Sequence, residues 1–244
     1  MKKYFACLGA LALSFTAQSA DDAHWSYGGK EGPKNWGSLS EAYKTCSSGK
    51  TQSPIDIQQF EHANLPAPEF DYRAGGTTIL NNGHTLQVGY APGSRMTVDG
   101  HTYELKQFHF HAPSENHIRG KSYPLEAHFV HADDKGHLAV IAVMIEAGTA
   151  NSALSEAWSK IPRQAGEKAE LTPAVAADDL MPHDRGYYRF DGSLTTPPCS
   201  EGVAWFVLKH PITASQEQID EFVHAIHHPN NRPLQALNGR TVSE

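Results

Sequence analysis

The chain has little cysteine, little positive charge and almost no long hydrophobic sequence. Three cysteines in 244 residues exclude a disulfide-dense scaffold, in which cysteine is several-fold commoner. Lysine and arginine number 20 against 27 acidic residues, a formal charge of −7. Such a balance offers no electrostatic footprint for nucleic acid or an anionic membrane surface. No stretch reaches the roughly 18 to 20 apolar residues that a membrane-spanning helix requires. There is no internal repeat, low-complexity tract or linker-like composition shift, and helical periodicity is scarce. The His-Glu-x-x-His signature of zinc peptidases is also missing.

The one apolar run, from Tyr4 to Phe15, follows Lys2-Lys3 and precedes the small residues Ala17-Gln18-Ser19-Ala20. That is the pattern of a secretory signal peptide over residues 1–20, cleaved near Ser19 or Ala20. Its removal leaves about 224 residues (21–244) and a charge of about −9, since Lys2 and Lys3 go with it. This length suits one domain with a substantial core. Cys7 is lost with the signal, leaving Cys46 and Cys199. An even count in an exported chain reads as one disulfide, with free thiols as the alternative. Closing so long a loop contributes at most about 4–5 kcal/mol in the chain-entropy treatment. The bridge would also pin Thr195-Thr196-Pro197-Pro198, which immediately precedes Cys199.

β-Branched and aromatic residues predict strands at Thr77–Leu80, Thr85–Tyr90, Arg95–Val98 and His101–Leu105, with Asn82-Gly83 and Asp99-Gly100 between them. Asp-Gly is a strong hairpin signal. Further strands fit Lys106–His111, Leu125–His131, Leu138–Ile145, Tyr187–Phe190 and Gly202–Leu208. Val203–Leu208 and Leu138–Val143 are apolar on both faces, which places them inside a sheet covered on both sides. Helical patterns occur at Ser152–Ile161 and Ser215–His227, the second with Ser215 as N-cap and Gln218 three residues on. The fold class is mainly β with peripheral helices (α+β), in a single domain.

The residues that carry chemistry begin at Gln107-Phe108-His109-Phe110-His111. Side chains alternate along a strand, so Gln107, His109 and His111 leave one face. Glu126, His128 and Val130 share a face in the same way, while His131 has the opposite parity. Three imidazoles with a fourth position open describe a catalytic zinc site. Gln107 and Glu126 each precede a candidate ligand by two residues on the same face, where a group that fixes a histidine tautomer belongs. His62, His183, His227 and His228 have no comparable context and read as surface or loop residues, with His227-His228 able to bind stray metal weakly.

Taken together, His109-x-His111 with His128, Gln52-Ser53-Pro54-Ile55-Asp56-Ile57, Asn82-Gly83-His84, Ser114-Glu115 and Ser193-Leu194-Thr195-Thr196-Pro197-Pro198 resemble the α-class carbonic anhydrases. The motifs stand in that family's order and span about Trp25 to Arg240. The short connection from His111 to Ser114 resembles the bacterial members. The resemblance implies a domain built on a large, mostly antiparallel twisted sheet, with Zn²⁺ held by His109, His111 and His128 at the bottom of a cleft. It implies that Gln107 orients His109 and that Glu126 orients His128.

The implied activity is reversible hydration of CO₂ to bicarbonate and a proton by a zinc-held hydroxide, with weak ester hydrolysis. In that reading Val130, Val140, Leu194, Val203 and Trp205 form the apolar wall for CO₂. Thr195 hydrogen-bonds Glu115 and orients the nucleophile, Thr196 helps to place bicarbonate, and His84 shuttles the proton. Tyr27, Asn82 and Gln87 hold the connecting waters, with Gln87 departing from the Asn of animal members. The Ser53-Pro54 and Pro197-Pro198 bonds are implied to be cis. An exported bacterial member would work in the periplasm on a small-molecule substrate, as a monomer or homodimer, without nucleic acid or membrane insertion. Two other readings are a non-catalytic binding domain of the same fold, which usually lacks a zinc histidine, and a dedicated zinc hydrolase, which needs a general base beside the metal.

Overall fold

In the computed structural model, which describes residues 23–244, the β-branched and aromatic segments pair into one eleven-stranded sheet. The expected signal peptide lies outside the described residues. Across the sheet the main path runs Lys168–Val175, Gly76–Asn81, Leu86–Tyr90, His101–His111, Leu125–Ala132, Leu138–Ala147, Glu201–Leu208 and Tyr187–Ser193. Neighbours are antiparallel except at Leu138–Ala147, where Glu201–Leu208 and Ile212–Ala214 run parallel to it. The mainly β, mostly antiparallel architecture is therefore the observed one.

The two strands expected at His101–Leu105 and Lys106–His111 are one strand, His101–His111. Its first half pairs with Arg95–Val98 and its second with Leu86–Tyr90, and a register shift between Leu105 and Gln107 separates the halves. Asp99 and Gly100 turn the first hairpin with φ of 52° and 75°, the positive pair that a type I′ turn requires. Lys168–Val175 escaped the sequence reading because Pro173 interrupts it. Proline is tolerated there because the strand lies at the sheet edge. The helix expected over Ser215–His227 is Gln216–Ile226, with Ser215 and Gln218 forming a capping box and His227 closing it in the left-handed conformation. The Ser152–Ile161 helix stops earlier, at Trp158.

The sheet has two buried faces. On one, Phe108, Phe110, Phe129, Ile141 and Phe206 join Trp158 and Phe222 from the two helices. Each fully buried aromatic there contributes about 1.5–3 kcal/mol. On the other face Val140, Ala142, Val203, Trp205 and Val207 form a second cluster. His109 lies on this second face, and register carries the face across five strands, from Gln87 through His109, His128 and Ala142 to Val207. The C-terminal segment then runs back over the domain, where the Ser243 and Arg189 backbones bond reciprocally at 2.8 and 2.9 Å. This return path places residues 230–232 under the imidazoles.

Candidate metal centre

His109 and His111 come from one strand and His128 from its neighbour, with His109 and His128 directly opposite in register. One nitrogen of each ring lies within 4.8 Å of the others. Such a cluster of three imidazoles is able to hold a metal ion. Two of the other nitrogens are hydrogen-bonded and the third lies against a carboxylate. His109 Nδ1 donates to Gln107 Oε1 at 2.9 Å, and His111 Nδ1 donates to the Asn230 carbonyl at 2.7 Å. His128 Nε2 sits 2.9 Å from Glu126 Oε1, a close contact that closes no hydrogen bond. These contacts leave Nε2 of His109, Nε2 of His111 and Nδ1 of His128 facing one point.

Electrostatics favour lone pairs there. Burial, reinforced by the neighbouring imidazoles, holds the pKa values of His109 and His128 well below the ordinary histidine value, and burial lowers that of His111. The rings are therefore neutral donors. His111 Nε2, one of the three clustered nitrogens, is buried without a hydrogen-bond partner and so is free to accept a cation. The donor set fits zinc.

Glu126 is fully buried and accepts at 2.6 and 2.8 Å from the backbone N–H groups of Glu115 and Asn116, and at 2.7 Å from Asn116 Nδ2. Burial raises its pKa, and the Asn116 amide opposes the rise. Glu115 accepts at 2.8 Å from the Arg232 backbone N–H. Burial pushes its carboxyl up to about 8, while the Thr195 hydroxyl and the Arg232 N–H pull it back. Glu115 Oε2 closes no hydrogen bond of its own, although the Thr195 hydroxyl stands close enough to act on the carboxyl. Oε2 lies 3.5 Å from His111 Nε2, beside the point the imidazoles face.

Thr195 is buried and sits on a loop fastened at several places. Cys46 and Cys199 form a disulfide across 153 residues of sequence. Gln52 Nε2 donates to the Cys199 carbonyl at 3.0 Å. The Ser53 and Ser193 hydroxyls accept from each other's backbone N–H groups at 2.9 and 3.1 Å. The Gln52-Ser53-Pro54 motif is thus the clamp for the threonine loop. Ser53-Pro54 and Pro197-Pro198 are cis, as are Ala112-Pro113 and Thr172-Pro173.

Val140, Val203 and Trp205 are buried in one cluster, with Val130 and Leu194 packed against it. The Trp205 ring lies 4.9 Å from that of His128, so this apolar wall adjoins the imidazoles. Thr196 is half-buried beside Thr195. His84 stands on the turn after Gly76–Asn81, where Asn82 Oδ1 accepts from the His84 and Thr85 N–H groups at 2.9 and 2.8 Å. Its ring stacks on Trp25 at 3.7 Å and lies 6.5 Å from Tyr27. Burial, then His228 and His24, lowers its pKa. Burial and the nearby Glu115 carboxylate hold the Tyr27 hydroxyl well above its usual range. Gln87 pairs with His109 in register. His131 points to the opposite face, as its parity predicts, where it meets the Tyr72 hydroxyl.

Asn116, Asn230 and Arg232 were not legible as residues beside the imidazoles. Asn230 and Arg232 follow a helix end in a polar stretch, which ordinarily reads as solvated loop. The one available signal was their place just inside the C-terminal end of the family resemblance.

A sheet floor with three neutral imidazoles, carboxylates behind them and an apolar wall alongside defines the class of catalytic metal centres. Comparison with known proteins narrows it: the chain belongs to the α-carbonic anhydrase family, whose members are lyases. The model of the eukaryotic-type carbonic anhydrase family matches residues 31–244. A carbonic anhydrase of Pectobacterium carotovorum is 48% identical over 232 residues, covering 95% of each chain. Among solved structures, α-carbonic anhydrase from Thermovibrio ammonificans, in complex with the inhibitor sulfanilamide, superposes with a TM-score of 0.89 at 45% identity, covering 91% of this chain and 99% of that one. The enzyme of Photobacterium profundum gives 0.86 at 50% identity, covering 91% and 100%.

Proposed function

We propose that this chain catalyses reversible hydration of CO₂ to bicarbonate and a proton in the periplasm, with one Zn²⁺ held by His109, His111 and His128. The observation that carries the reading is the apolar wall set directly beside three neutral imidazoles. When bound, zinc supplies an activated water at neutral pH, with a pKa of about 7 in carbonic anhydrases. Gln107, Asn230 and Glu126 fix which nitrogen of each imidazole faces it.

CO₂ is apolar and needs a greasy wall rather than a charged binding group. Val130, Val140, Leu194, Val203 and Trp205 provide one. Thr195 has a single hydroxyl proton, and donating it to Glu115 commits its lone pairs to the cleft. That selects ligands carrying a proton on the facing atom. Thr196, next in the loop, helps to place bicarbonate.

A group of pKa about 7 releases protons to water at only about 10³ s⁻¹ when recapture is diffusion-limited, whereas turnover in carbonic anhydrase reaches about 10⁶ s⁻¹. A relay is therefore needed. His84, on its turn at the cleft rim, takes the proton, and Tyr27, Asn82 and Gln87 line the way to it. Residues 1–20 direct export, and the Cys46–Cys199 disulfide suits an oxidising compartment.

The test is stopped-flow CO₂ hydration by the purified mature protein, zinc-loaded, with and without a chelator or an aromatic sulfonamide. Fast hydration abolished by either agent supports the proposal. Ester cleavage without CO₂ hydration would turn it into a hydrolase, and zinc-independent ligand binding with no turnover would make it a binding domain.

A further inference from the structure

We propose that His228 is a second proton-accepting imidazole of the cleft, standing across Tyr27 from His84 and exchanging protons with external buffer. The proposal rests on the hydration reading above and extends it to a residue outside the recognised motifs.

The 228–230 turn is locked to the site. Asn230 Nδ2 donates to the His84 carbonyl at 3.0 Å and to the Phe110 carbonyl at 2.9 Å. The Asn230 carbonyl accepts from His111 Nδ1 at 2.7 Å. Two residues earlier, the His228 ring lies 5.9 Å from Tyr27, and the His84 ring lies 6.5 Å from the same tyrosine. One tyrosine thus separates two imidazoles. Trp25 stacks on His84 at 3.7 Å, whereas His228 is exposed.

The tautomer of His228 suits proton uptake. Its Nδ1 donates to the Pro229 carbonyl at 3.1 Å, so the neutral ring carries its lone pair on Nε2. The groups around it are Tyr27, with His84 and His24 beyond, and His224 and His227, which line the groove it shares with Ala112 and Pro113. None of these is a carboxylate that would trap the proton. Burial, and then the charge of His228, disfavours the protonated form of His84. Protonated His84 is thus disfavoured where it stands, and the exposed His228 ring lies across Tyr27 from it.

The step balances simply. CO₂ and water give bicarbonate and one proton. That proton forms an N–H bond at His228 Nε2, and the bond breaks when a buffer base takes it.

Turnover of zinc-loaded wild type, His84→Ala, His228→Gln and the double variant should be measured across buffer concentrations. In dilute buffer the double variant should lose about threefold or more in kcat beyond His84→Ala. kcat/KM for CO₂ should be unchanged, because proton export follows the chemical step. Imidazole added to the buffer should restore the rate. Equal kcat in the single and double variants at every buffer concentration, or a loss confined to kcat/KM, would overturn the proposal. Independently, the ¹H–¹⁵N NMR titration of His84 should move up in His228→Gln, because the second-largest cause of its lowering is removed. An unmoved titration would also overturn it. Absence of CO₂ hydration by the wild type would defeat the hydration reading itself. The titration needs no turnover and so tells that failure apart from one at His228.

Discussion

The His111 imidazole and the Asn230 carbonyl, 119 residues apart in sequence, are joined by a 2.7 Å hydrogen bond from ring Nδ1. That bond fixes the tautomer of a buried ring and leaves Nε2 unpartnered toward the other two imidazoles. The Asn230 side chain meanwhile holds the Ala112 N–H at 2.8 Å and the His84 carbonyl at 3.0 Å. One asparagine thus ties the metal-binding strand to the turn that carries His84.

Metal content is the first consequence. Purified wild type should hold one zinc per chain by elemental analysis, and His128→Ala should hold none and lack activity. Glu126→Gln should weaken zinc binding by roughly 10- to 100-fold in chelator competition, since Glu126 touches both His128 and the Asn116 amide. An active, metal-free His128→Ala protein would reject the centre.

Thr195→Ala should retain zinc and fold normally, because the loop is held by Gln52, Ser53 and the disulfide rather than by the Thr195 hydroxyl. CO₂ hydration should fall by about 10²-fold. Unchanged turnover would remove Thr195 from the mechanism.

Reducing the Cys46–Cys199 bridge, or replacing both residues with serine, should lower thermal stability. A loop of 153 residues bounds the effect at about 5 kcal/mol in the chain-entropy treatment. Thermal denaturation with and without reductant checks it; coincident curves would show that the loop is held by its hydrogen bonds alone.

Acid should destabilise the fold partly through His131. This fully buried ring donates from Nδ1 to the Phe129 carbonyl at 2.9 Å, and burial lowers its pKa to about 4. In the unfolded chain its pKa is about 6.5, so the unfolded state binds the proton more tightly. The contribution is complete above pH 6.5 and is lost as pH falls toward 4, at most about 3–4 kcal/mol for a difference of about 2.5 pH units. Urea unfolding of wild type and His131→Leu across this range should show a shallower pH slope for the variant. Parallel slopes would contradict the assignment.

What was legible locally was legible for a physical reason. Side-chain alternation placed Gln107, His109 and His111 on one face, and Glu126, His128 and Val130 on another, without reference to any partner strand. The hairpin at Asp99-Gly100 and the cap at Ser215 followed from backbone chemistry carried by single residues. Where local chemistry conflicted with the outcome, as at Pro173, an edge position in the sheet overrode it.

The sequence by itself thus determined the donor types, their parity, the strand-rich class and the family. Only the tertiary structure decided that the two histidine faces are the same face, because register is set between strands rather than within them. Only folding could bring Asn230 to His111, the Arg232 N–H to Glu115 and His228 to Tyr27. Those partners come from an irregular C-terminal segment whose course no periodicity encodes. Its path follows from the need of buried polar groups for partners, a demand that exists only once the sheet has formed.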